Sequence, residues 1–236
     1  MKPQLLIIPG WEGTTTSWQN FISLAKNDFD VYCFDLPCFG AEPCPNAVWG
    51  VEEYANFILE KIQVNNLNKP ILLGHSFGGQ IAAYLAAKQP DKLSKLVLSG
   101  AAVIRQTPSL KKIIFNSLAK TGKIIFSLPL LNQASGFMKK VLYRAANSDY
   151  NRTEGIKREI YKKITAENLS QLAKTINLPT LLIWGENDTY VPLNQGKKIN
   201  QLINSSKLEI IKDAKHGLHL KQTAYFYNLI KAFALK

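Results

Sequence analysis

The run Gly74-His75-Ser76-Phe77-Gly78-Gly79 constrains this chain more than any other segment, because of what stands on either side of it. Ile71-Leu72-Leu73 precedes it, a short apolar run suited to a buried parallel strand, and Ile81-Ala82-Ala83-Tyr84-Leu85-Ala86-Ala87 follows it, rich in helix formers. A serine on the sharp turn between a strand and a helix is held in a strained backbone conformation that pushes its hydroxyl clear of the chain. Gly74, Gly78 and Gly79 remove side chains that would collide with such a turn or hold the helix away from the strand. The segment therefore predicts both a strand–turn–helix unit and a nucleophile.

The rest of the chain repeats the strand–helix alternation. Apolar runs at Gln4 to Pro9, Asp30 to Leu36, Pro70 to Gly74, Leu93 to Ser99, Thr180 to Trp184 and Leu208 to Ile211 read as strands. Between the second and third, Val51, Tyr54, Ala55, Ile58, Leu59 and Ile62 recur at helical spacing, and Phe226, Leu229, Ile230 and Phe233 do so near the end. The expected fold class is α/β: a three-layer sandwich around an open, mostly parallel sheet of six strands, with its site beyond the carboxyl ends of the strands. From Arg105 to Thr175 the alternation stops and helical patterns take over, such as Ile113, Ile114, Ser117 and Leu118, then Tyr161, Ile164, Leu169 and Leu172. Residues 1–104 and 176–236 are thus expected to form one core domain, with 105–175 a helical insertion broken at Pro108, Pro129 and Gly136.

A serine hydroxyl is a poor nucleophile without a base. Of three histidines, His75 adjoins Ser76 and its side chain points away across the turn, so His216 and His219, both after the last strand, remain. His216 stands closer to that strand's end and is preferred, with His219 packed beside it. A carboxylate must then orient the imidazole, and Asp188, in Trp184-Gly185-Glu186-Asn187-Asp188 just past the fifth strand, is preferred over Glu186. The order Ser76, Asp188, His216 is the one used on open α/β sheets of this kind.

On these residues the chain resembles the α/β-hydrolase superfamily along essentially its whole length. Asp35-Leu36-Pro37-Cys38-Phe39-Gly40 adds a turn similar to that family's Asp-x-Pro-Gly-x-Gly. The resemblance implies a serine hydrolase acting by acyl transfer to water, most commonly on a carboxylic ester, with no cofactor and no metal. It also implies that the 105–175 insertion is a lid and that the backbone N–H groups of Trp11 and Phe77 form the oxyanion hole. Carbon–carbon hydrolysis of ring-fission diketones, acyl-carrier methyl ester hydrolysis and thioester hydrolysis share this machinery, and weakly catalytic receptors or scaffolds share the fold. The sequence departs from common members in Pro9-Gly10-Trp11 where a His-Gly often stands, in Lys215 and Lys221 around the base, and in lacking room for two leading strands.

An apolar acyl substrate is expected to sit between Trp11, Phe77, the loop around Tyr190 and Val191, and the insertion residues Phe115, Phe126, Leu130 and Phe137. The formal net charge is +12, carried by 25 Lys against 4 Arg beside 18 Asn, a skew that argues against specific nucleic-acid readout. Within Arg105 to Thr175 there are 14 basic residues against 4 acids, so the insertion is where an anionic substrate, an acidic acyl carrier or an anionic membrane surface would be drawn. No apolar run approaches the roughly 20 residues of a membrane span and no secretory leader is visible, so a cytoplasmic protein is expected. Cys33, Cys38 and Cys44, odd in number and without Cys-x-x-Cys spacing, suggest three reduced thiols.

Overall fold

Six parallel strands, β1 (Gln4–Ile8), β2 (Asp30–Cys33), β3 (Ile71–His75), β4 (Lys95–Ser99), β5 (Thr180–Gly185) and β6 (Ser206–Ile211), form one sheet in the order β2-β1-β3-β4-β5-β6. The computed structural model describes residues 2–105 and 153–236. Every expected strand is present. The second ends at Cys33 rather than Leu36, because Pro37 has no N–H to give a ladder and the Asp35 side chain is engaged by a neighbouring loop.

Among the described residues the helices are α1 (Gln19–Ala25), α2 (Val51–Val64), α3 (Phe77–Lys88), α4 (Gly155–Ala166), α5 (Ser170–Ala173), α6 (Leu193–Leu202), α7 (Leu218–Lys221) and α8 (Thr223–Ala234). Period-two alternation sends Leu5, Ile7, Leu73, Val97, Leu181 and Ile183 to one face of the sheet. There they pack with Phe21 and Ile22 of α1 and Phe226 and Ile230 of α8. The predicted α2 stripe is buried at Val51, Tyr54, Ala55, Ile58 and Ile62, and α2 packs with α3. None of these helices is long and apolar enough to cross a membrane.

Winding reverses between β1 and β3, which makes their carboxyl ends the topological switch point where such sheets carry their sites. In-register pairing brings Ile8 beside Gly74, His75 beside Ser99, Ser99 beside Ile183 and Gly185 beside Ile211, so the loops after five strands open at one level. Beyond the ladders, Gly100 N–H donates to the Ile183 carbonyl (3.1 Å) and Asn187 N–H to that of Ala214 (2.8 Å), tying these loops together.

The chain divides into two units, residues 1–105 with 163–236, and residues 106–162. The helical expectations around 113–118 and the substrate-lining expectations at Phe115, Phe126, Leu130 and Phe137 lie outside the described residues. The reading of three reduced thiols needs correction: Cys38 and Cys44 form a disulfide, and Cys33 alone is free. The pairing is made by the turn between them, in which Cys38 N–H donates to the Pro43 carbonyl (3.2 Å). Burial pushes the Cys33 thiol up to about 12, so it stays protonated and inert.

Candidate active site

Ser76 leads from β3 into α3 at φ 53° and ψ −114°, a left-handed backbone that a residue with a Cβ adopts only under constraint. The constraint is visible on both sides. Ser76 N–H donates to the Ser99 carbonyl (2.9 Å), and the Ser76 carbonyl accepts from Ala102 (3.0 Å) and Gln80 (3.2 Å). The helix that follows lies so close to the end of β1 that a Cβ on Gly78 would stand 2.1 Å from the Ile8 carbonyl oxygen. Between Ile71 and Ala83 all residues are buried except Ser76, which is half-buried.

His216 and Asp188 meet as the spacing predicts. His216 Nδ1 lies 2.7 Å from Asp188 Oδ2, the carboxylate side chain being 1% exposed and the imidazole 16%. The other carboxylate oxygen, Oδ1, accepts from the N–H groups of Tyr190 and Val191, each at 2.9 Å. With one oxygen so filled, the other is left to accept from the ring, so Nδ1 carries the hydrogen and Nε2 presents a lone pair. Glu186 does something else: its carboxylate accepts from Asp213 N–H (3.1 Å) and braces the loop that delivers His216.

His219 is buried in a flat stack on Trp18, ring centroids 4.0 Å apart, with its Nδ1 lacking a hydrogen-bond partner. Burial, and then the neighbouring His216 charge, pull it down to about 4, so at neutral pH it is an uncharged packing ring. His75 is also buried, its Nδ1 donating to the Ser99 carbonyl (3.0 Å). Burial first, then His216 and His219, lower it well below the imidazole range. Its ring nevertheless lies 4.6 Å from that of His216 and 4.8 Å from that of His219, so all three histidines converge in one column of rings.

The loop after β1 turns back on itself through Gly13 N–H to Gly10 carbonyl (3.0 Å). A Cβ on Gly10 would lie 3.2 Å from Ser76 Cβ, so this loop runs directly against the turn. Half-buried Trp11 sets its ring edgewise against Phe39 (4.8 Å) and Phe77 (5.9 Å). Phe77 opens α3, where main-chain N–H groups have no partner within the helix. Val191 is 6% exposed and its carbonyl accepts from Trp184 Nε1 (2.8 Å), so its visible work is to fix the Asp188 loop.

A family model described as "Serine aminopeptidase, S33" matches residues 1–223. The chain belongs to this α/β-hydrolase family. It is 29% identical to a pimeloyl-[acyl-carrier protein] methyl ester esterase of Wigglesworthia glossinidia brevipalpis, over 98% of this chain and 93% of that protein. A protein of the same description from Neisseria meningitidis is 26% identical, again over 98% of this chain and 93% of the relative. In fold, this hydrolase superposes on an enol-lactonase from Burkholderia xenovorans LB400 with a TM-score of 0.76 at 19% identity, over 100% and 92% of the two chains.

One residue beside His216 escaped the sequence reading. Gly100, at φ 50°, leaves room for the imidazole: a Cβ there would come 2.9 Å from His216 Nδ1. A lone glycine directly after the β4 run was its only signal. Tyr190 was expected in a loop lining the pocket, but its ring contact with His216 had no signal, since it exists only once two loops have met.

Proposed function

We propose that this hydrolase cleaves carboxylic esters through an acyl-enzyme, with Ser76 as nucleophile, His216 as general base and Asp188 as the carboxylate that orients it. The observation that carries the reading is a His216–Asp188 pair, its other carboxylate oxygen filled by Tyr190 and Val191 N–H groups, lying against Gly100 and the His75 ring, the neighbours of the strained Ser76 turn. In the first half-reaction, the Ser76 hydroxyl proton passes to His216 Nε2 as Oγ bonds to the ester carbon, and the carbonyl electron pair moves onto oxygen. The N–H groups of Trp11 and Phe77 are the proposed donors to that oxyanion. Collapse expels the alcohol, which takes the proton from His216; water then repeats the sequence on the acyl-enzyme and releases the acid.

The finer substrate is argued from the relatives' printed activity and from charge. Two of them are named for methyl esters carried on an acyl-carrier protein, and residues 105–175 of this chain hold 14 basic residues against 4 acids. Segment 105–175, proposed here as the lid, then attracts an acidic carrier by a field that salt screens. An ester of an apolar acyl chain on such a carrier is the preferred substrate.

The test compares a chromogenic short-chain ester, a free acyl methyl ester and the same methyl ester on an acidic acyl carrier. Ser76→Ala should abolish turnover of all three and covalent labelling by a fluorophosphonate. The carrier-bound ester alone should lose kcat/KM steeply between about 0.01 and 0.5 M ionic strength. Undiminished hydrolysis in Ser76→Ala would overturn the mechanism; equal salt responses would overturn the carrier.

A further inference from the structure

Tyr190 is 73% exposed, so burying it contributes little to the fold, yet its main chain is held. Its own N–H donates to Asp188 Oδ1, the next N–H does the same, and the Val191 carbonyl is gripped by the Trp184 indole. The main chain is thereby fixed on both sides of Tyr190, and what it presents to solvent is a phenol ring stacked on His216, centroids 5.3 Å apart and planes 25° from parallel. The ring of buried, uncharged His75 also packs against His216, tilted by 42°. Tyr190 thus touches the Asp188 carboxylate with its backbone and the imidazole with its side chain.

We infer that Tyr190 is a positioning residue for the base, its ring holding the His216 imidazole toward Asp188 and stabilising the imidazolium that forms as Ser76 gives up its proton. The physical reason is the negative face of an aromatic ring, which attracts a cation within about 6 Å and attracts a neutral ring much less. The proton transferred in acylation turns His216 from neutral to cationic, so the contact strengthens along the reaction coordinate and acts on kcat. An aliphatic side chain of similar size would cover His216 equally well but carry no such face. This inference rests on the proposed roles of Ser76 and His216.

The experiment measures kcat and KM for a neutral short-chain chromogenic ester in the parent, Tyr190→Leu and Tyr190→Phe proteins, with active sites counted by fluorophosphonate titration so that unfolded protein is not scored. Tyr190→Leu should lower kcat about fivefold with KM changed less than twofold, the size expected of one cation–aromatic contact. Tyr190→Phe, which keeps the ring, should recover kcat to within about twofold of the parent. Full kcat in Tyr190→Leu, a loss confined to KM, or a Tyr190→Phe variant as slow as Tyr190→Leu would each overturn the role. Those outcomes leave the ester hydrolase reading standing, whereas a parent that neither turns over ester nor labels at Ser76 overturns both.

Discussion

At Gly100 a single missing methyl group leaves room for the His216–Asp188 pair. The residue has φ 50°, and a built Cβ would lie 2.9 Å from His216 Nδ1 and 3.2 Å from Asp188 Oδ2, closer than unbonded carbon normally approaches either. Gly100→Ala should therefore cost about 1–2 kcal/mol of stability through the left-handed backbone alone. Displacing the imidazole should in addition lower kcat for a neutral ester by about tenfold or more, since misplacing a catalytic group by about 1 Å is enough for that. Steady-state kinetics with a parallel urea titration separates the two, and an unchanged kcat in folded Gly100→Ala would show that activity does not depend on the present position of His216. The Ser76 turn and the His216–Asp188 contact were legible in the sequence because each residue is a distinctive type placed just after an apolar strand. The full ring cluster was not: beyond the neighbouring pair His216 and His219, the rings of Trp18, His75 and Tyr190 come from separate segments, and no local pattern records that they will meet.

The elements themselves were written in periodicity, which is why all six strands and the α2 stripe appear where apolar residues recur at two or at three and four. Loops obey no period, and here the reading was weakest, at the Cys38–Cys44 pair. What folds that loop is Asp35, whose Oδ1 accepts from Thr15 N–H (2.7 Å) and hydroxyl (2.9 Å) while Oδ2 accepts from Ala41 N–H (3.1 Å). Burial would raise this carboxyl, but the N–H groups of Thr15 and Ala41 and the Thr15 hydroxyl outweigh it and hold Asp35 below its ordinary 3.8. One side chain thus links the loop after β1, which carries Trp11, to the loop after β2, which carries Phe39. In Asp35→Asn one oxygen becomes an NH2 group facing an N–H or hydroxyl donor. The expected cost is about 2 kcal/mol, read as a lower urea midpoint at unchanged m-value. A midpoint equal to that of the parent would mean that these hydrogen bonds add nothing net to the fold.

Over the whole molecule, histidine burial sets how the fold responds to mild acid. His219 in the folded chain resists protonation down to about 4, whereas an exposed histidine in the unfolded chain takes up its proton near 6.5. The unfolded state therefore binds more protons between those values, and stability must fall as pH falls through that window. Above about 6.5 the contribution is fully present; by pH 5 roughly 2 kcal/mol of it is gone. His75, lowered in the same direction, adds to the slope. Among the carboxylates, Asp28 and Asp35 are held below 3.8 and lose their contribution only at lower pH, whereas burial raises Glu167 above its ordinary 4.5 and opposes the slope equally in parent and variant. In His219→Phe the flat stack on Trp18 can persist while the proton site is gone, and since Nδ1 has no partner, no hydrogen bond from that atom is lost with it. Urea unfolding at pH 7.5 and pH 5 should show the parent losing about 2 kcal/mol more across the interval than His219→Phe does. If both proteins lose the same amount, His219 is protonated as readily in the folded chain as in the unfolded one, and its burial against Trp18 does not govern acid sensitivity.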